Sequence, residues 1–252
     1  MIGGWELSFA DSAIVALIFL FAGMVRGVTG FGLPLVTISL TPFFIAHDLA
    51  LALNTLVLPL TTLGQIWTVG FHRRGFRLCL PLILGMAATT FVAARFVAHI
   101  SPAALSLAMG AMLIAVSSWS LSGFSFRIPA RAEVSAGFAT GLLAGICGAV
   151  FTAPGPVVTV YFTGLGFDRR EFVATMCLAT LISGFLISGA FLANGVLDGP
   201  RAAMSAAAAI PALLGMLAGD RLGRGLSVEG FRRLVHVMLF GLGLHYLWKA
   251  AS

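Results

Sequence analysis

Long apolar stretches separated by short polar loops dominate the chain. A helix needs about 20 apolar residues to cross the hydrocarbon core of a bilayer. Six stretches of about this length predict membrane-spanning helices over residues 48–70, 76–98, 101–122, 170–192, 201–219 and 228–248. The pattern of hydrophobic positions therefore predicts an all-α protein that crosses a membrane several times.

Two further apolar stretches, residues 9–46 and 134–167, are too long for one helix. The first is interrupted between Gly23 and Pro34, and the second between Gly145 and Pro156. Irregular backbone at membrane depth is tolerated only where it is buried in protein or lines a cavity. Matching breaks in the two halves of a chain are typical of a transporter whose binding site lies at the breaks.

An offset of 122 residues relates the two halves of the chain. It pairs identical residues, which are Ala22 with Ala144, Gly23 with Gly145, Pro34 with Pro156, Val36 with Val158, Thr37 with Thr159, Thr41 with Thr163, Ala52 with Ala174 and Leu56 with Leu178. The sequence therefore predicts a tandem duplication within a single membrane domain, residues 1–252. Repeat 1 covers about residues 9–122 and repeat 2 about residues 132–249.

The basic residues distinguish between two topologies. If each broken segment crosses once, Lys and Arg divide seven to seven between the two faces, with Arg26 left inside. If each is a hairpin of two helices, one face gathers twelve of them: Arg26, Arg73, Arg74, Arg77, Arg127, Arg131, Arg169, Arg170, Arg221, Arg224, Arg232 and Arg233. The other face keeps three: Arg95, Arg201 and Lys249. Because cytoplasmic loops carry the excess of basic residues, the asymmetry favours hairpins, with both termini outside the cytoplasm.

A hairpin gives each repeat five helical elements, and an odd number turns the second repeat upside down relative to the first. The predicted fold is an all-α polytopic membrane protein of two inverted repeats, each with a broken or hairpin first helix followed by three long transmembrane helices. Inverted repeats are the usual geometric basis of alternating access.

Composition excludes several other classes of protein. Hydrophobic residues make up 59% of the chain and charged residues 10%, against roughly 45–50% and about 25% in soluble domains. The net charge of +6 comes from arginines in short loops, so orientation in the membrane explains it better than nucleic-acid binding. Cys79, Cys147 and Cys177 lack the spacing of a disulfide framework or a metal site. We expect no metal, no cofactor and, without a recognisable catalytic constellation, no enzyme.

The breaks are the candidate binding site. Pro34 suits the first turn of a new helix, since its missing N–H has no partner there. Free N–H groups around Gly30 and Thr152 would then lie at the positive ends of two helix dipoles, which favours an anion. The alternative is that the glycines only allow helices to pack closely.

Polar side chains near the breaks complete the candidate site. Thr37 and Thr159 occupy equivalent positions, and Arg26 is either a functional group or a side chain that snorkels to the surface. The predicted substrate-binding residues are Arg26, Gly27, Thr29, Gly30, Phe31, Gly32, Pro34, Thr37, Asn54, Thr55, Cys147, Thr152, Ala153, Gly155, Pro156 and Thr159.

The glycine-rich break Gly27-Val-Thr-Gly-Phe-Gly-Leu-Pro34, its duplicate from Gly145 to Pro156 and the length of the chain resemble the sulfite exporter TauE/SafE family, also called the toluenesulfonate uptake permease family. The resemblance implies secondary transport of sulfite, sulfonates or related small organic anions across the bacterial inner membrane. The second copy departs from the pattern, with Phe151-Thr-Ala-Pro154 where glycines are expected. An anion channel or a structural membrane subunit stays open as an alternative, and so does a homo-oligomer.

Overall fold

The computed structural model describes residues 8–30, 32–69, 73–97, 99–123, 126–223 and 228–251. Within these ranges the chain forms ten α-helices and no strand. The helices are α1 (Phe9–Thr29), α2 (Leu33–Leu40), α3 (His47–Val69), α4 (Arg73–Val97), α5 (Pro102–Ser122), α6 (Glu133–Phe151), α7 (Gly155–Gly164), α8 (Arg169–Ala193), α9 (Gly199–Gly223) and α10 (Val228–Ala251). Short 3₁₀ turns at Thr41–Phe43 and Ala130–Ala132 follow α2 and precede α6.

Six of the described helices are long and apolar enough to cross a membrane, namely α1, α4, α5, α6, α8 and α9. The six spans predicted from the sequence correspond to α3, α4, α5, α8, α9 and α10, with bounds that differ by a few residues. Each broken segment forms two helices, α1 with α2 and α6 with α7. The prediction of an all-α polytopic membrane protein is confirmed.

Polar caps fix where several helices begin. The side chain of Ser8 accepts a hydrogen bond from the N–H of Ala10 at the start of α1. Asp168 accepts one from the N–H of Glu171 at 2.8 Å at the start of α8. A cap of this kind stabilises a helix by about 0.5–2 kcal/mol because it pairs an N–H that has no partner within the helix.

Helix α1 packs along α9, and glycines bring the two backbones together. A Cβ added to Gly23 would lie 2.0 Å from the carbonyl oxygen of Ala212, and one added to Gly27 would lie 2.2 Å from that of Met216. Only glycine fits at such distances. Since residue numbers rise together along the contact, α1 and α9 run in the same direction.

Helix α6 packs along α4 in the same manner. A Cβ added to Gly141 would lie 2.1 Å from the carbonyl oxygen of Leu82, and one added to Gly145 would lie 2.7 Å from that of Met86. The first helix of each predicted repeat therefore packs on the fourth helix of the other. Gly23 and Gly145, which the offset of 122 pairs, each lie against a backbone carbonyl of the other repeat.

Helix α3 runs parallel to α9, as two polar contacts show. Arg201 Nη2 lies 2.9 Å from Asp48 Oδ2, and Ser205 Oγ donates to the carbonyl oxygen of Leu53 at 2.6 Å. Because α1 and α3 both run parallel to α9, they run parallel to each other.

Helix α2 returns in the opposite direction. The hydroxyl of Thr37 on α2 donates to Oδ1 of Asn54 on α3, and a short turn joins the two helices. The equivalent residues of repeat 2 also meet, with Thr159 Oγ1 4.0 Å from Met176 Sδ. Since α2 is antiparallel to α3, α1 and α2 form a hairpin.

Helices α3 and α8, which the offset of 122 pairs, run in opposite directions. Ser188 Oγ on α8 lies 3.4 Å from the carbonyl oxygen of Thr55 on α3, and a Cβ added to Gly184 would lie 2.8 Å from Pro59 Cδ. Residue numbers fall along α8 as they rise along α3. An inverted repeat requires this arrangement for the pair, and the inverted repeat with its boundaries stays a prediction.

The helix directions also fix which helix ends lie together. The first turns of α1, α3 and α9 lie at the same end of the bundle as the last turn of α8, and the first turn of α8 lies at the opposite end. The grouping of basic residues on the two faces of the membrane stays a prediction of the hairpin topology.

Labelling of introduced cysteines tests the orientation. We expect His99→Cys to react with a membrane-impermeant thiol reagent in intact cells, and Ala130→Cys to react only in inside-out vesicles, because both residues are exposed and the hairpin topology predicts them on opposite faces. The experiment uses a background whose three native cysteines are replaced by alanine. Labelling of Ala130→Cys in intact cells would contradict the orientation inferred from the basic residues.

Candidate functional site

The two breaks meet at one cavity of about 30 Å³. Its lining combines residues of both hairpins with residues of α3 and α8, and consists of Arg26, Gly30, Gly32, Leu33, Pro34, Leu35, Leu58, Ala153, Pro154, Gly155, Pro156, Met176 and Thr180. Leu58 and Thr180 lie near the midpoints of α3 and α8. The cavity is therefore at about half the depth of the helix bundle.

Two glycines form the first break. Gly30 ends α1 with φ 83° and Gly32 precedes α2 with φ 97°, both in the left-handed region that favours glycine. No atom lies within 4 Å of the position that a Cβ of Gly30 would take. Pro34 then stands in the first turn of α2. The chain reverses direction between α1 and α2, and because Gly30 and Gly32 have no side chains the cavity beside them stays open.

The second break has a similar backbone built from different residues. Thr152 ends α6 with φ 52°. Every other described residue with a positive φ is a glycine. The offset of 122 makes Thr152 the equivalent of Gly30. Helix α7 then begins at Gly155, with Pro156 in its first turn. The N-termini of α2 and α7 thus both lie at the cavity, where their first N–H groups have no partner within the helix.

Arg26 brings a positive charge to the cavity. Its side chain is 3% exposed, and its guanidinium donates from Nη1 to Thr61 Oγ1 at 2.8 Å and from Nη2 to Thr62 Oγ1 at 2.6 Å. The two hydroxyls hold the guanidinium plane beside α3. Of the two roles that the sequence left open for Arg26, burial favours a functional group over a snorkelling side chain.

The structure brings seven of the predicted site residues to the cavity: Arg26, Gly30, Gly32, Pro34, Ala153, Gly155 and Pro156. Eight others are not part of its lining: Gly27, Thr29, Thr37, Asn54, Thr55, Cys147, Thr152 and Thr159. Phe31 lies outside the described residues.

Local hydrogen bonds explain why most of the predicted hydroxyls do not face the cavity. The hydroxyl of Thr29 donates to the carbonyl oxygen of Val25 at 2.8 Å, and that of Thr55 to the carbonyl oxygen of Leu51 at 2.9 Å. A threonine within a helix readily bonds to the carbonyl four residues earlier. Gly27 does not line the cavity because it packs closely against α9.

Six residues of the lining were not predicted: Leu33, Leu35, Leu58, Pro154, Met176 and Thr180. The repeat offset contained a signal for part of this set, since it relates Gly32, which was predicted, to Pro154, and Gly155, which was predicted, to Leu33. The lining therefore offers one guanidinium, one hydroxyl, backbone N–H groups and apolar side chains. Within the described ranges, no three His, Cys, Asp or Glu residues come together as metal ligands.

A family model for the sulfite exporter TauE/SafE matches residues 15–246. The chain belongs to the TauE/SafE family. The match extends over both hairpins and all the residues that line the cavity, so the family assignment covers the whole candidate site. Comparison with curated proteins and with solved structures finds no match to the chain. Family membership and the apolar helices together identify a TauE/SafE membrane protein of a transporter family.

Alanine at Gly30 tests whether the cavity is used. Gly30→Ala places a methyl group in the open space at the first break, so we expect transport by this TauE/SafE protein to be lost. The matched control is Gly195→Ala, which has φ 70° and also no atom within 4 Å of its Cβ position, but lies between α8 and α9. Both variants carry a left-handed strain of roughly 1–2 kcal/mol. Equal transport by the two variants would contradict a role for the cavity.

Proposed function

We propose that this protein is a secondary transporter that moves small sulfur-containing or organic anions, such as sulfite and sulfonates, across the bacterial inner membrane by alternating access. The observation that carries the proposal is the meeting of a buried arginine with two helix N-termini at one cavity. Membership in the TauE/SafE family supports sulfur-containing anions as the substrate class.

The electrostatics of the cavity favour a bound anion. Each helix N-terminus carries roughly half a positive charge in its unpaired N–H groups, and such sites bind anions through the backbone. Arg26 adds a full positive charge on a planar group suited to oxyanions. The remaining lining residues are mostly apolar, and their low polarity strengthens each of these interactions.

The packing of the helices suggests which parts move. We define the first body as α1, α2, α3 and α9, and the second body as α4, α6, α7 and α8. Within the first body α9 packs on α1 and α3, and within the second body α4 packs on α6 and α8, while α3 and α8 pack on each other between the bodies. Each body thus takes three helices from one repeat and one from the other. The cavity lies between the bodies, with one break contributed by each.

The cavity is lined by residues of both hairpins together with residues of α3 and α8. A substrate that binds there is held between the two bodies, and a separation of the bodies would admit it. A carrier that encloses its substrate between two bodies follows naturally from this geometry.

An anion channel or a structural subunit is the competing function. A carrier shows saturable flux and accelerated exchange of labelled substrate against unlabelled substrate, because each cycle returns one occupied site. A channel shows neither property, and a structural subunit shows no flux. Counterflow in proteoliposomes therefore separates the three functions.

Substitution of Arg26 tests the anion site. A charge-assisted hydrogen bond contributes about 1.5–3 kcal/mol, so we expect Arg26→Gln to raise the KM for sulfite counterflow roughly tenfold to a hundredfold. Arg26→Lys keeps the charge but loses the paired bonds to Thr61 and Thr62. Its KM should therefore lie between that of the wild type and that of Arg26→Gln. The control is Arg131→Gln at an exposed position. A preference of the wild-type protein for neutral or cationic solutes would contradict the proposal.

Disulfide cross-links test the moving bodies. Thr55→Cys with Ser188→Cys joins α3 to α8 across the two bodies, and we expect its oxidation to stop counterflow, because the bodies can then no longer separate on that face. Leu53→Cys with Ser205→Cys joins α3 to α9 within the first body and should leave counterflow intact. Unimpeded counterflow after both cross-links form would rule out this choice of bodies.

A further inference from the structure

Thr180 on α8 is the hydroxyl-bearing side chain that lines the cavity. In the part of the chain that the structure describes, its hydroxyl makes no hydrogen bond, whereas its carbonyl oxygen accepts one from Ser183 at 3.0 Å. The residue is partly exposed, at the wall of the cavity. The hydroxyl of Thr180 is therefore available to a molecule in the cavity, as both a donor and an acceptor.

The neighbouring threonines use their hydroxyls differently. Thr61 donates to the carbonyl oxygen of Val57 at 2.6 Å, and Thr62 donates to that of Leu58 at 2.7 Å. Both also accept hydrogen bonds from Arg26. The same backbone acceptor, four residues earlier, is available to a threonine in any helix. Thr180 keeps its donor for the cavity.

The repeat symmetry gives Thr180 a distinct place in the site. The offset of 122 relates Thr180 to Leu58, and Arg26 to Gly148. Repeat 1 therefore contributes the cation of Arg26 and the apolar side chain of Leu58. At the equivalent positions, repeat 2 has Gly148, without a side chain, and the hydroxyl of Thr180. A ligand between the two breaks meets the guanidinium from α1 and the hydroxyl from α8.

We propose that Thr180 is a substrate-binding residue that donates a hydrogen bond to one oxygen of the transported anion. The ligand class is an oxyanion with at least two acceptor oxygens, so that one faces Arg26 and another faces Thr180. The apolar wall formed by Leu33, Leu58 and Met176 accepts the part of the anion that carries no oxygen. This assignment rests on the proposed function as an anion transporter.

The test measures sulfite counterflow and sulfite binding for two variants of the full-length protein. Thr180→Val removes the hydroxyl at nearly constant volume, and we expect it to raise the KM and the Kd roughly tenfold to a hundredfold, the range for a hydrogen bond to a charged group. Thr180→Ser keeps the hydroxyl and should stay close to the wild type. Thermal unfolding of each variant checks that the fold is unchanged, and Thr180→Ala replaces Thr180→Val if that variant does not fold.

Thr175→Val is the matched control on the same helix. The Thr175 hydroxyl likewise has no partner among the described residues, but its side chain is buried and faces Gly75 on α4 instead of the cavity. We expect it to leave KM and Kd unchanged. Wild-type affinity in Thr180→Val, or an equal loss in Thr180→Ser, would overturn the assignment while leaving the transporter in place. A wild-type protein with no saturable flux of sulfite or sulfonate would instead contradict the proposed function and this assignment with it.

Discussion

The irregular backbone at the two breaks is the constraint on which the rest of this structure depends. Peptide groups that leave a helix at half membrane depth cannot face lipid, because each unpaired group costs several kcal/mol there. The protein encloses them by packing α1 on α9 and α6 on α4, with backbones so close that Gly23 and Gly145 allow no side chain. The close packing at the glycines thus keeps the irregular backbone at the cavity away from lipid.

The duplication gives two similar backbones but an unequal site. Gly30 and Thr152 end their helices in the same left-handed conformation, which preserves the break in both repeats. The side chains around them have diverged, so that Arg26 has Gly148 as its equivalent. In the proposed function, one cation between two helix N-termini binds a single small anion, and the similar backbones of the two repeats allow the two bodies to exchange conformations around it.

The sequence was sufficient for the helices, the two breaks and the family, because hydrophobic length and paired Gly/Pro interruptions are properties of the chain itself. It could not separate Gly27 from Gly30, since one packs on α9 and the other faces the cavity only after α1 has docked. It placed Thr37 in the site and overlooked Thr180, because hydrogen bonding to the local backbone and the rotation of α8 against α3 are set by packing. Residue type and spacing do not specify either one.

The most direct test of the account is to locate a bound anion. Selenite resembles sulfite in charge and shape, and the anomalous scattering of selenium marks its position in crystals of the protein. We expect a single peak in the cavity, within hydrogen-bond reach of the Arg26 guanidinium and between the first turns of α2 and α7. A peak elsewhere in the bundle, or an empty cavity at selenite concentrations that saturate transport, would contradict it.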